Sequence, residues 1–157
     1  MEETIDRSEM ISIDRQGRWW YQGNQIIHQD VLAYFKKSLQ RDPQTGDYAI
    51  HAQGKTAPVE VALCPFFIHD IELVRDPDDR PKEVILLLDD QSRETLDPRK
   101  LTMDKEGVLQ ALVKEGRFCA RCQPTAHFRL AELLEEDAEG IFHLYLGGEN
   151  FRIGVSP

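Results

Sequence analysis

The stretch that decides the fold runs from Val31 to Val61, VLAYFKKSLQRDPQTGDYAIHAQGKTAPVEV, because a second version of it, HFRLAELLEEDAEGIFHLYLGGENFRIGV, occupies His127 to Val155. In the first copy a helical pattern ends at Asp42, and Gly46, Tyr48, Ile50, Gly54, Val59 and Val61 follow. In the second, Asp137 is followed by Gly140, Phe142, Leu144, Gly148, Ile153 and Val155 at the same intervals from the first glycine onward. Each copy reads as helix, tight turn, strand, turn, strand.

Upstream of the first copy, Ile11 and Ile13 alternate with polar residues, Gln16-Gly17 supplies a turn and Arg18 to Tyr21 return, so the chain opens on a β-hairpin. Residues 1–9 carry little apolar material and read as a loose lead-in. The first helix is expected over Gln29 to Gln40, with Val31, Leu32, Phe35 and Leu39 on one stripe. Strands are expected at Tyr48 to Ala52 and Pro58 to Val61. Because Pro58 lacks an N–H, the second of these should be an edge strand or begin at that residue.

Phe66 to Val74 and Glu83 to Asp89 make a long hairpin, and the unalternating run Val84 to Leu88 reads as a strand covered on both faces, a seam between two halves. Short strands are expected at Lys100 to Met103, Val108 to Val113 and Arg117 to Cys122. A second helix, opened by Pro124 and running to about Glu136, should bury Phe128, Leu130, Ala131 and Leu134. The expected class is therefore α+β: mostly antiparallel sheets with two helices, in two similar hairpin-helix-hairpin repeats, one over residues 10–82 and the other over residues 83–157.

Composition narrows the partners. A formal charge of −9 opposes nucleic-acid phosphates and anionic membrane surfaces, and the longest basic clusters are only Lys36-Lys37 and Arg99-Lys100. No apolar run approaches the roughly 20 residues that span a bilayer. The acidic N-terminus does not read as a signal peptide, and three cysteines without one read as reduced thiols of a cytoplasmic protein.

Five groups invite chemistry. Cys119 and Cys122 form a Cys-x-x-Cys pair with His127 nearby and Cys64 elsewhere, a donor set for zinc. On a strand, residues three apart point to opposite faces, and Pro124 sets the helix after the motif, so ordinary cysteines are expected and no metal is assigned. Asp76, Asp78 and Asp79, with Asp89-Asp90, do not match a calcium loop, and the prolines beside them explain a solvated turn. Gly147-Gly148 precede a strand and read as a hairpin turn rather than a phosphate cradle. His51, His69 and His143 fall within strands, and none of Ser8, Ser12, Ser38, Ser92 and Ser156 sits in a strained elbow, so no catalytic residue is assigned. Trp19, Trp20 and Tyr21 are consecutive aromatics that cannot all enter one core, and they are the candidate ligand-binding residues.

The chain resembles a bacterial family known as a domain of unknown function, family 1285. The resemblance rests on Gly17, Trp19, Tyr21, Gly23 and Ile26; on Leu32, Phe35, Leu39, Arg41-Asp42 and Tyr48; on Pro65-Phe66; and on Phe128, Leu133, Gly140 and Gly147-Gly148, from Ile11 to Gly154. It implies a fold of repeated motifs, no established enzymatic activity and a proposed role in signal transduction. The chain departs from the family pattern at His51-Ala52-Gln53-Gly54-Lys55 and at Ala62-Leu63-Cys64, where the family carries a Thr-Pro-Val-Glu-Lys-like segment and an acidic pair.

The function expected from all this is a non-catalytic regulatory or sensing module that binds a small ligand or a protein partner between the two repeats, with no cofactor. Two rivals stand beside it. One is a hydrolase or transferase with a dispersed site, which requires a histidine and two carboxylates within hydrogen-bond reach in one pocket. The other is a homo-oligomeric interaction protein whose exposed strand Pro58 to Val61 pairs with a second copy.

Overall fold

The computed structural model describes residues 10–156; the lead-in expected at residues 1–9 lies outside them. The chain divides into two compact units, Met1–Pro65 and Phe66–Pro157. Both mix helix and sheet, so the fold is α+β, with parallel as well as antiparallel pairing.

In the first unit β1 (Ile11–Ile13), β2 (Trp19–Tyr21) and β3 (Asn24–Gln25) form a meander, α1 (Gln29–Ser38) follows, and β4 (Leu39–Arg41), β5 (Tyr48–Ala52) and β6 (Lys55–Val61) return. They make one sheet in the order β3-β2-β1-β6-β5-β4, antiparallel throughout except that β1 and β6 run parallel with Ile13 opposite Val61. Its core is Ile11, Ile13, Trp19, Leu39, Ile50 and Val59. α1 contributes no fully buried residue to it.

Two expectations change here. The first helix stops at Ser38, because Leu39 turns extended (φ −69°, ψ 134°) and pairs with Ile50 as a strand. Leu39 gains a buried cross-strand partner, which outweighs the few tenths of a kcal/mol by which local propensity favours one more helical turn. Pro58 does not mark an edge: β6 begins at Lys55 and lies between β5 and β1. The pairing with β1 starts only at Val59, so on that side the missing N–H of Pro58 faces no ladder partner. With both neighbours occupied, Pro58 to Val61 is not an exposed strand, and the geometric ground for pairing with a second copy there is gone.

The second unit holds β7 (Phe66–Arg75), β8 (Pro81–Leu88), β9 (Arg93–Thr95), a 3₁₀ turn at Pro98–Lys100, β10 (Leu101–Met103), β11 (Leu109–Val113), β12 (Phe118–Cys122), α2 (Pro124–Ala131), β13 (Leu134–Glu136), β14 (Phe142–Leu146), β15 (Glu149–Arg152) and β16 (Gly154–Val155). Seven strands pair in the order β16-β10-β11-β12-β7-β8-β9, and β13-β14-β15 form a separate antiparallel sheet. The long hairpin β7–β8 pairs from Ile68 opposite Leu88 to Arg75 opposite Pro81, with register shifts near each end, and lies wholly in the second compact unit. On β8, Val84, Leu86 and Leu88 are fully buried and Ile85 and Leu87 half-buried, which explains the absence of alternation.

α2 lies against β7, β11 and β12 and buries Ala126 and Leu130. The expected tail of this helix is again a strand, with Leu134 opposite Leu144. Phe128, expected in the core, is 68% exposed, on the side of α2 opposite the buried Ala126 and Leu130.

Candidate functional site

The turns that hold this fold share one device. At Asp14, Asp42, Asp76, Asp104 and Asp137 the carboxylate accepts the backbone N–H two residues on, from Gln16, Gln44, Asp78, Glu106 and Glu139 respectively. Each side chain thereby mimics a turn of backbone. The loop acids Asp76 to Asp79 are accounted for in this way, as one side of a hairpin turn.

Asp14 also orders the aromatic cluster. Its Oδ1 accepts the Arg18 N–H at 2.9 Å, and its Oδ2 accepts Arg18 Nε–H at 2.7 Å and Trp20 Nε1–H at 2.9 Å. Burial pushes its carboxyl up, but the bonds from Trp20, Arg18 and Gln16 more than offset that and bring it down to about 2. The Arg18 guanidinium in turn lies over the Trp20 ring, 5.7 Å from its centroid.

The three aromatics therefore do not line one pocket. Trp20 is half-buried and fixed to Asp14, Trp19 is 1% exposed, and Tyr21, on the same side of β2 as Trp19, is 39% exposed. Trp19 meets Phe35 of α1 with ring centroids 6.2 Å apart, and Tyr34 meets Phe35 at 6.3 Å. Among the described residues the indole N–H of Trp19 has no hydrogen-bond partner. A buried, unpaired donor costs about 1–3 kcal/mol, so such groups are rare in native folds.

Large apolar side chains are exposed before and along α1: Ile27, ahead of the helix, is 74% exposed, and Val31 and Tyr34, three residues apart on it, are 38% and 44% exposed. With Tyr21 they put four exposed large apolar side chains within fourteen residues. Sequence periodicity read Val31, Leu32, Phe35 and Leu39 as the core-facing stripe; Val31 is exposed instead, and Ile27, Val31 and Tyr34 were not expected at a site. The clue available in the sequence was Ile27, which belongs to neither a strand nor the helix and still is large and apolar.

The other candidates resolve differently. Cys119 and Cys122 lie on opposite faces of β12, as strand geometry requires. Cys122 is a free, buried thiol, pushed up to about 12 by burial against the smaller opposing effect of Arg121, while Cys64 and Cys119 are disulfide-bonded. The expectation of three reduced thiols is thus met at Cys122 alone, and cysteine chemistry no longer argues for a reducing compartment. His127 uses Nδ1 to accept the Leu109 N–H at 3.3 Å. Gly147 and Gly148, at φ 58° and 79°, make the β14–β15 turn, and the Gly147 N–H donates to the Pro81 carbonyl at 3.1 Å.

Among the histidines, the His51 ring lies 3.0 Å from Thr56 Oγ1, His69 is exposed, and His143 sits between Asp137 (2.8 Å from Nε2) and Asn150 (3.0 Å from Nδ1). With an acceptor at each ring nitrogen, the imidazolium of His143 is favoured. Its pKa is raised chiefly by Asp137, and that of Asp137 is lowered chiefly by His143. None of these histidines is bonded to two carboxylates.

One polar cluster went unforeseen. Lys114, at φ 56° on the β11–β12 turn, sends its ammonium to Asp90 and to Ser92 Oγ at 3.1 Å and lies 5.1 Å from the Phe66 ring centroid. Its own N–H donates to Glu94. Lys114 is neutralised by Asp90, whose carboxyl is lowered by bonds from Lys114 and Ser92 in spite of burial. The Lys114 ammonium thereby fastens the β8–β9 turn to the β11–β12 turn.

No family model matches the sequence, and no curated protein does. Two solved structures have its fold. One is a DUF1285 family protein from Silicibacter pomeroyi DSS-3, 19% identical, with a TM-score of 0.73 over 91% of this chain and 78% of that one. The other is a DUF1285 family protein from Shewanella baltica OS155, 14% identical, with a TM-score of 0.62 over 78% of this chain and 90% of that one. The resemblance to family 1285 read from Trp19, Leu39, Pro65 and Gly148 thus has a structural counterpart, and it concerns the fold.

Proposed function

We propose that the chain is a non-catalytic regulatory module that acts by binding, through the face of its first unit formed by β2, β3 and α1. The observation that carries this is the exposure of Ile27, Val31 and Tyr34 before and along α1, whose Phe35 packs on a buried Trp19 with no hydrogen-bond partner for its N–H among the described residues. Clustered exposed apolar side chains of this kind commonly mark a binding surface.

Supporting the non-catalytic reading, the carboxylates with displaced pKa values are held in turns or ion pairs: Asp14, Asp97, Asp104 and Asp137 in turns, Asp70 by Arg129 and Asp90 by Lys114. The described residues contain no group of three metal ligands and no helix long and apolar enough to cross a membrane. Signal transduction would be the setting of such a module.

The test is a thermal-shift screen against nucleotides, cyclic dinucleotides and common metabolites, repeated on Ile27→Asp. A ligand at a hundred times its Kd stabilises by about 2.7 kcal/mol, several degrees for a domain of this size. The reading expects a shift in the wild type that Ile27→Asp removes. Shifts that survive Ile27→Asp would place binding elsewhere and overturn it.

A further inference from the structure

Local features of the two units correspond closely enough to show what the first one lacks. Asp14 accepts the N–H groups of Gln16 and Arg18, and Asp104 those of Glu106 and Val108. The parallel pair β1/β6 is extended by the Ala62 N–H donating to the Ile13 carbonyl, and β10/β16 by the Ser156 N–H donating to the Met103 carbonyl. Trp20 pairs with Gln25 as Gln110 pairs with Arg121. The helices begin after His28 and after Gln123, and each gives way to a three-residue strand, at Leu39–Arg41 and at Leu134–Glu136. Position by position, Gln25 stands where Arg121 does, Val31 where Ala126 does and Phe35 where Leu130 does.

The environments of those positions differ in one respect. In the second unit, β7 adds in parallel to the outer edge of β12, Phe66 to Ile68 facing Ala120 to Cys122, and the Gln123 N–H donates to the Ile68 carbonyl at 2.9 Å. α2 packs against that strand, and Ala126 and Leu130 are wholly buried. In the first unit, β3 ends its sheet. Among the described residues of this unit no strand pairs with the outer edge of β3, and Val31 is 38% exposed and Phe35 half-buried.

β3 is also an edge of only two residues, Asn24 and Gln25, which carry neither a charge nor a proline against a foreign strand. The Ile26 N–H donates inward to the Trp19 carbonyl, so by alternation the N–H of Gln25 points outward.

Resting on the binding role proposed above, we infer that the occupant of this face is an extended segment of a partner protein, which adds as a parallel strand to β3 and lays alternate apolar side chains over Val31 and Tyr34. The strand takes the place that β7 fills in the second unit. Main-chain bonds to the Gln25 edge supply affinity, and the α1 stripe selects for apolar residues at every second position. The segment needs few polar side chains, since β7 opens with Phe66, Phe67 and Ile68 at the equivalent place.

The experiment selects from displayed octapeptides with apolar residues fixed at alternate positions, using the whole chain as target. Enriched peptides are then made synthetically and measured by fluorescence anisotropy. The inference expects binding that weakens at least tenfold in Gln25→Pro and in Ile27→Asp, and that Phe128→Asp, a control on the exposed side of α2, leaves unchanged. Methylating one outward backbone nitrogen at a time in the peptide tests the same bonds without touching the protein, and at least one position must cost a comparable factor. No enriched peptide, or peptides indifferent to Gln25→Pro and to methylation, would overturn the inference. So would sedimentation showing a dimer that Ile27→Asp dissociates, since the occupant would then be a second copy. Small-molecule shifts abolished by Ile27→Asp, with no peptide bound, would leave the binding module standing and remove the strand.

Discussion

Replacing Asp14 by asparagine removes the charge that binds one turn, one arginine and one tryptophan while keeping the shape of the side chain. Above pH 4 the wild-type carboxylate accepts two backbone N–H groups, Arg18 Nε and Trp20 Nε1, at 2.7 to 2.9 Å. Its folded pKa of about 2 lies below the unfolded value of 3.8. A depressed folded pKa means that the unfolded chain binds the proton more readily, so the stabilisation is present above 3.8 and fades as pH falls through about 2. At 1.36 kcal/mol per pKa unit the difference has a ceiling of about 2.4 kcal/mol. The side chain keeps 24% of its exposure, so water screens part of this and about 1–2 kcal/mol is the expected effect. Urea denaturation of wild type and Asp14→Asn should differ by that amount at pH 6, and the gap should close between pH 4 and pH 2. Other carboxylates titrate in both proteins and cancel in the comparison. A gap that is absent at pH 6, or that is constant down to pH 2, would refute the reasoning, because it would mean that the charge contributes nothing to this turn.

The uncovered helix predicts unequal costs for matching truncations: Leu130→Ala should cost about 2–5 kcal/mol, as a fully buried leucine does, and Val31→Ala less than about 1; equal losses in denaturation would show that α1 is covered after all. The Cys122 thiol, at about 12, should resist a thiol-specific reagent at pH 8 in native protein and react once the chain is unfolded; labelling at the rate of a free thiol would contradict the burial. Proton NMR should titrate His143 above 6.5, and Asp137→Asn should bring it back toward that value, because the carboxylate is its main partner. Any stability that follows from His143 is present below pH 6.5 and lost as pH rises through its folded pKa, opposite in direction to the Asp14 effect.

Turn and strand positions were legible because they depend on short-range chemistry: glycines at fixed intervals, alternation at Ile11 and Ile13, the proline that opens α2. Leu39 and Leu134 were misread since their partners, Ile50 and Leu144, lie ten or eleven residues on, and a helical period continued through them costs nothing locally. Pro58 misled for the converse reason. The rule that proline avoids interior strands holds for a ladder on both sides, and β1 begins one residue later. β9 was missed because Arg93, Glu94 and Thr95 carry no apolar pattern and are strand only by pairing with β8.

At the site, Trp19 to Tyr21 were found as an oddity of composition. Their division into a buried, a tethered and an exposed ring was not legible, since Asp14 was not seen to reach Trp20. The exposed stripe was hidden by a limit of periodicity itself. A hydrophobic stripe says which side of a helix is apolar without saying whether a strand lies over it: Ala126 is buried on α2, whereas Val31 on α1 is exposed.

Hydrogen exchange of the full chain, free and with an enriched octapeptide, tests the binding face most directly. The account predicts low protection of α1 relative to α2 in the free protein, and protection gained on binding at Gln25 and along α1 as far as Tyr34, with none gained at residues 124–131. Protection gained in the second unit, with residues 25–34 unchanged, would contradict it.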